Sequence, residues 1–132
     1  MLMADSANVA VVRKFYENLS SPEVLMRVLS PTIRWEITPG FPYGGDYAGV
    51  NAVFQEFFGR VLSDFDDWRT VMNELHDAGD RVLALGTYSG RAKTTGKTFV
   101  ARFSHCWTVD GGTITRLQQC ADTVQISNAL HE

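Results

Sequence analysis

Two residues near the C-terminus have types and spacing that could do acid–base chemistry. They are His105 and Asp122. They flank Gly111-Gly112, and the residues on either side alternate between apolar and polar, as in a β-hairpin. If Gly111-Gly112 is a two-residue turn, Asp110 pairs with Thr113. Counting back, Val109 faces Ile114, Trp107 faces Arg116 and His105 faces Gln118. Phe103 then faces Cys120, and Ala101 faces Asp122. Cross-strand partners share a face of the sheet. Phe103, His105, Trp107, Cys120 and Asp122 are therefore expected on one surface, with Cys106 on the other. A bulge would flip part of this assignment. A carboxylate among apolar walls is desolvated, which raises its pKa and makes it a better base. A nearby histidine can donate to a developing oxyanion or exchange protons itself. The blander alternatives are a hydrogen-bonded core histidine and an Asp122 that caps a C-terminal helix.

The elements that must position these residues follow from periodicity. Val9, Val12, Tyr16 and Leu19 recur at spacings of three and four, giving a first helix with Ser6 as its N-cap. Pro22 opens a second short helix that reaches about Leu29. Thr32–Thr38 alternates as a half-buried strand. Pro39–Gly49 reads as an aromatic loop of the kind that rims a pocket. Val50–Leu62 is the most apolar helical stretch. Four strands follow, at about Trp68–His76, Arg81–Gly90, Thr98–Val109 and Thr113–Val124, with a short helix or tail after them. Helices gathered early and strands gathered late predict an α+β fold, with helices on one face of a curved antiparallel sheet.

The chain has 132 residues, enough for one domain spanning 1–132. Its composition, 45% hydrophobic and 20% charged, can build a packed core. A net charge of −3 argues against nucleic-acid binding, which needs a basic surface. No apolar run approaches the roughly 18 residues of a membrane helix. Residues 1–6 lack the features of a secretion signal, so the expectation is a soluble cytoplasmic protein. Cys106 and Cys120 are too few for a disulfide scaffold and are expected as free thiols.

Several motifs fail on inspection. Thr95-Gly96-Lys97-Thr98 lacks the upstream glycine and following helix of a phosphate loop. The serine in Gly86-Thr87-Tyr88-Ser89-Gly90 is in the wrong slot for a nucleophile elbow. His76, His105 and His131 have no metal-ligand spacing, so no metal is expected. The aromatic residues exceed what so small a core needs, which points to a pocket for an apolar ligand.

The order of elements resembles the SnoaL-like group of the nuclear-transport-factor-two-like, or ketosteroid-isomerase-like, superfamily. The residues that carry the resemblance include Val12-Arg13-Lys14-Phe15-Tyr16, Trp35-Glu36 with Pro39-Gly40, and Tyr47-Ala48-Gly49. Gly79-Asp80-Arg81-Val82, residues 105–112 and Gln119-Cys120-Ala121-Asp122-Thr123 complete the set. The resemblance implies helices on one face of a strongly curved, antiparallel or mixed sheet, a cone-shaped α+β barrel. It implies no cofactor and a homodimer formed through the outer sheet face, where Arg102, Ser104, Cys106 and Thr108 should lie. It also implies a base aspartate on the last strand and an assisting histidine on the strand before, which match Asp122 and His105. Ketosteroid isomerases place their base at the position of Ile37 and their oxyanion tyrosine at Phe15, with Tyr16 one residue away. Their protonated aspartate falls at His105 if the final turn is one residue shorter. Epoxide hydrolases of this fold need an Asp-Arg-Asp set, of which only Asp122 is evident.

The expected activity is proton removal by Asp122 alpha to a carbonyl of a small, largely apolar substrate, with His105 polarising the carbonyl. Trp35, Tyr43, Phe54 and Phe58 would line the site, joined by Tyr88, Phe103, Trp107 and Cys120. The alternatives are a non-catalytic binding module for an apolar ligand and a dimeric interaction domain.

Overall fold

A computed structural model describes residues 5–132. Helix α1 (Ala7–Glu17) starts where Val9 N–H donates to Ser6 Oγ at 3.2 Å, so Ser6 is the expected N-cap. Its buried face is Val9, Val12 and Phe15, with Tyr16 half-buried beside them. Leu19 lies beyond the helix and is partly exposed. Helix α2 (Pro22–Val28) has Pro22 in its first turn and buries Leu25 and Val28. Strand β1 (Leu29–Ile37) follows directly, so Ser30-Pro31 does not separate helix from strand. Pro31 falls between the two regular stretches of β1 pairing, where a missing N–H is tolerated.

The aromatic loop contains one more element than its sequence suggests. Strand β2 (Gly45–Ala48) pairs antiparallel with β1, Tyr47 opposite Trp35. The long helix comes in three consecutive parts: α3 (Val50–Ala52), a π-helical stretch (Val53–Phe58) and α4 (Gly59–Asp64). Four long strands follow: β3 (Phe65–Ala78), β4 (Arg81–Ala92), β5 (Thr98–Asp110) and β6 (Thr113–Ala121). The chain then enters α5 (Thr123–Leu130), so β6 ends short of the expected Val124.

All six strands form one sheet in the order β2-β1-β6-β5-β4-β3. β1 and β6 run parallel and every other pair is antiparallel. The fold is α+β with a mixed, curled sheet, as expected. Alternation sets its faces. On β5, Phe99, Ala101, Phe103, His105, Trp107 and Val109 are buried, while Val100, Arg102 and Ser104 are exposed.

The sheet's register shifts at several points, and two of these bulges matter here. On β3, Met72 faces Gly86 and Glu74 faces Leu85, so Asn73 is the extra residue. On β6, Ile114 faces Val109 but Arg116 faces Thr108, so Thr115 is the extra residue. Each bulge bends its strand and increases the twist. Opposite the first bulge the backbones crowd. A Cβ on Gly86 would lie 2.1 Å from Val71 O and 2.5 Å from the Phe103 ring. Gly86 is therefore required by close approach rather than by its own backbone conformation. Gly86→Ala is expected to lower stability by about 3 kcal/mol, the upper end for overpacking, because a backbone carbonyl cannot swing aside. A urea-denaturation midpoint indistinguishable from that of the wild type would contradict this.

Candidate functional site

The two-residue turn forms as expected, with Asp110 opposite Thr113 and Val109 opposite Ile114. One residue later the Thr115 bulge shifts the register. Trp107 faces Leu117, His105 faces Gln119 and Phe103 faces Ala121. Because side chains alternate, this single residue exchanges the two faces of β6 beyond the bulge. Leu117 and Gln119 turn inward and are buried. Cys120 turns outward and is exposed, opposite Ser104 on the outer face. Both cysteines are thus on the outer side, not on opposite faces, and both are free. Asp122 is exposed too. It occupies the N-cap position of α5 without a side-chain capping bond, and its backbone N–H donates to Arg102 O at 2.9 Å. The expected convergence of Asp122 and Cys120 with His105 therefore does not occur.

Beneath the sheet lies a cavity of about 560 Å³. Trp35 and Ile37 on β1, Leu117 and Gln119 on β6, and His105 and Trp107 on β5 form one wall. Tyr88 on β4, with Trp68 and Thr70 on β3, continues it. Phe54, Phe57, Phe58 and Val61 of the long helix cover the opposite side. Leu19, Ser20, Pro22, Gly59 and Leu62 also line the cavity but are exposed to solvent, which marks its mouth between the α1–α2 turn and α4. No Asp, Glu, Lys or Arg lines it among the described residues.

Six of the sequence-derived site residues meet here: Trp35, Phe54, Phe58, Tyr88, His105 and Trp107. Phe103 does not line the cavity. It stacks on the His105 ring at a centroid distance of 4.0 Å and backs it from below the wall. Tyr43 also lies elsewhere. Its backbone is left-handed (φ 59°), and its hydroxyl donates to Asp64 at 2.5 Å on the outside of the long helix.

His105 is the centre of a polar chain inside this apolar wall. Its Nδ1 is hydrogen-bonded to the Tyr16 hydroxyl, and its Nε2 lies 2.6 Å from the Tyr88 hydroxyl. Trp107 Nε1–H donates to Tyr16 Oη at 2.9 Å, and Gln119 Nε2–H donates to Tyr88 Oη at 2.8 Å. Burial without a charged partner pushes the His105 pKa down to about 3, so the ring is neutral at physiological pH. Burial also pushes both tyrosines well above their usual range, so both remain phenols. A neutral imidazole has one N–H and one lone pair. One tyrosine must therefore donate to the ring while the other accepts from it. Each hydroxyl oxygen is already held by a fixed N–H donor, so the accepting tyrosine has its own O–H free for another partner.

Tyr16 and Gln119 were not among the sequence-derived site residues. A signal for Gln119 is present in the strand pattern. Ile114 and Leu117 are apolar residues three apart, and three is the wrong period for one face of a regular strand. An extra residue between them puts both inward, with Gln119 next in line. Tyr16 belongs to the apolar stripe of α1, but its hydroxyl partner lies 89 residues away, beyond the reach of local pattern.

No group of three His, Cys, Asp or Glu side chains that could hold a metal occurs among the described residues. No helix there is long and apolar enough to cross a membrane.

A curled mixed sheet closed by helices over an apolar cavity defines the cone-shaped α+β class, a scaffold that hosts many chemistries. Within that class the chain belongs to the SnoaL-like domain family, whose model matches residues 12–117. Among solved structures, an NTF2-like protein from Burkholderia thailandensis is 32% identical, with a TM-score of 0.91 over 97% of this chain and 100% of that one. TerC, co-crystallised with polyporic acid, is 26% identical, with a TM-score of 0.84 over 96% of this chain and 100% of its own. A protein of ketosteroid isomerase-like fold from Catenulispora acidiphila, in complex with trimethylamine, is 16% identical, with a TM-score of 0.71 over 83% of each chain. No curated protein sequence matches the chain.

The buried imidazole has a consequence for stability. Unfolded His105 takes up a proton near its usual 6.5, whereas the folded ring stays neutral down to about 3. Between those values the unfolded state binds more protons, so stability is fully present above 6.5 and is lost as pH falls towards 3. The slope from this one group is about 1.4 kcal/mol per pH unit. His105→Asn removes that contribution. Urea melts at neutral and mildly acidic pH should show a steeper acid loss in the wild type than in the variant, and parallel profiles would refute it.

Proposed function

We propose that the protein is a cofactor-independent enzyme of isomerase or cyclase type, acting on a small, largely apolar carbonyl compound held in the cavity. The observation that carries this reading is the neutral His105 held between two tyrosine hydroxyls in an otherwise apolar wall. In the productive tautomer, Nδ1–H donates to Tyr16 Oη and Tyr88 O–H donates to Nε2. A substrate carbonyl oxygen next to Tyr88 competes for that O–H. As Tyr88 turns to it, the Nε2 lone pair is uncovered.

Nε2 then removes a proton alpha to the carbonyl. The C–H bond breaks, an N–H bond forms, and the electron pair moves into the carbonyl as an enolate stabilised by Tyr88. The imidazolium and the enolate arise together in a cavity lined mostly by apolar groups. Each favours the charge on the other, which offsets the weak basicity of a buried ring. Return of the proton to another carbon gives an isomer. Attack of the enolate on a second carbonyl of the same molecule closes a ring. Asp122, exposed at the start of α5, has no part in this scheme, and the base role expected of it falls to His105.

A second reading, a binding protein for the same ligands without chemistry, is favoured by one feature. Among the described residues no carboxylate lines the cavity, and both imidazole nitrogens are already paired. Exchange of the alpha protons of tetralone in deuterated water, followed by NMR, separates the two. The enzyme should accelerate exchange, and Tyr88→Phe should slow it about a hundredfold, the scale for losing one oxyanion donor. Saturable binding with no acceleration would leave only the binding module.

We also propose a homodimer formed through the outer sheet face. Val71, Leu83, Leu85 and Val100 are exposed apolar residues there, beside Arg102, Ser104, Cys106 and Thr108. Light scattering at micromolar concentration should give twice the chain mass, and Leu85→Glu should give the monomer. A monomeric wild type would rule the dimer out.

A further inference from the structure

Part of the cavity wall is supplied by a loop. In the strap 39–44, between β1 and β2, Pro39, Gly40, Tyr43 and Gly44 are exposed, and Phe41 is the one deeply buried side chain, 4% exposed. Phe41 lines the cavity. Its ring meets Tyr88 and Trp68 of the sheet edge-on, at centroid distances of 5.6 and 6.1 Å, and lies 6.0 Å from Phe57 of the π-helical stretch. Phe41 therefore joins the sheet wall to its helical cover, in contact with Tyr88.

A strap with one buried side chain has to be held by something else. Its backbone bonds are local: Phe41 N–H donates to Thr38 O at 3.2 Å and Gly44 N–H to Phe41 O at 2.8 Å. They shape the strap without attaching it. The attachment runs through Tyr43. Its hydroxyl donates to Asp64 of α4 at 2.5 Å, and the Arg60 guanidinium of α4 lies 5.8 Å from its ring centroid. Its carbonyl accepts from Tyr47 Oη of β2 at 2.5 Å. Tyr43 makes these contacts from a left-handed backbone, φ 59°, which a residue with a Cβ adopts only at a cost. A glycine would take this conformation freely, and Gly40, Gly44 and Gly45 stand close by in the chain. What the tyrosine adds at this position is its grip on α4.

We infer that Tyr43 is a positioning residue that acts through Phe41. Its clasp on Asp64 keeps the strap shut, with Phe41 against Tyr88, and so slows the escape of a ligand from the cavity. An apolar ligand in the cavity is common ground with the proposed function, and the clasp rests on that part of it and not on the chemistry.

Stopped-flow fluorescence with N-phenyl-naphthylamine, a neutral apolar probe, tests this. Tyr43→Phe keeps the ring and loses the hydroxyl. It should release the probe at least about fivefold faster than the wild type, the scale of one net hydrogen bond. In the ligand-free variant the Phe41 and Gly44 amides should exchange with deuterated water faster by a similar factor. Asp64→Ala should match Tyr43→Phe, and the double variant should be no faster than either, because all three lack the same bond. Asp64→Asn, which keeps an acceptor oxygen, should fall between Asp64→Ala and the wild type. A merely structural role would lower the melting temperature and leave probe release unchanged. Release at the wild-type rate in folded Tyr43→Phe overturns the clasp. So do additive effects in the double variant, or the absence of saturable probe binding to the wild type. If Tyr43→Phe does not melt cooperatively, the two Asp64 variants decide by the same rates. The tetralone experiment fails independently: faster probe release without alpha-proton exchange removes the enzyme reading and keeps the clasp, and exchange with unaltered release does the reverse.

Discussion

The arrangement depends on one buried, uncharged histidine whose two nitrogens must both be satisfied. His105 is buried among apolar rings, with no charged partner among the described residues, and Tyr16 and Tyr88 satisfy its two nitrogens. Those tyrosines come from α1 and β4, and their own oxygens are fixed by Trp107 on β5 and Gln119 on β6. Four elements are therefore held in mutual register by a single polar chain within an apolar core. A partly satisfied chain would be worse than none, because each orphaned group would be stranded at low dielectric. Helix α1 is thus tied to the sheet by direction-specific bonds as well as by packing.

Much of the fold could be read from local pattern, and the failures have identifiable causes. Ser6, Pro22 and the glycine pair at 111–112 act through nearest neighbours, and the elements they bound lie close to where the sequence puts them. Strand β2 is invisible because four residues among prolines and glycines carry no periodicity of their own, and only β1 supplies their partner. The close approach at Gly86 is equally non-local, since Val71 on β3 and Phe103 on β5 crowd it.

The site was legible in part for the same reason. His105 was identifiable because it lies on β5, whose alternation is uninterrupted. Trp35, Phe54, Phe58, Tyr88 and Trp107 were identifiable as large apolar groups on inward faces. Cys120 and Asp122 follow the extra residue on β6, and a count of two per step carries them to the wrong side. The aromatic content first suggests generous packing. In the structure much of it rims an open volume, with Phe54 and Phe58 only half-buried on the π-helical stretch. A π turn widens the helix locally and commonly occurs at functional sites.

The Thr115 bulge also bears on how such a scaffold could diversify. Length changes are usually tolerated at loop tips and ruinous within strands. Here the irregularity already exists, so removing Thr115 would restore regular pairing rather than destroy it. Leu117 and Gln119 would keep Trp107 and His105 as partners and stay inward. The bend and twist of β6 could thus change by a single codon while the chemistry of the cavity wall is conserved.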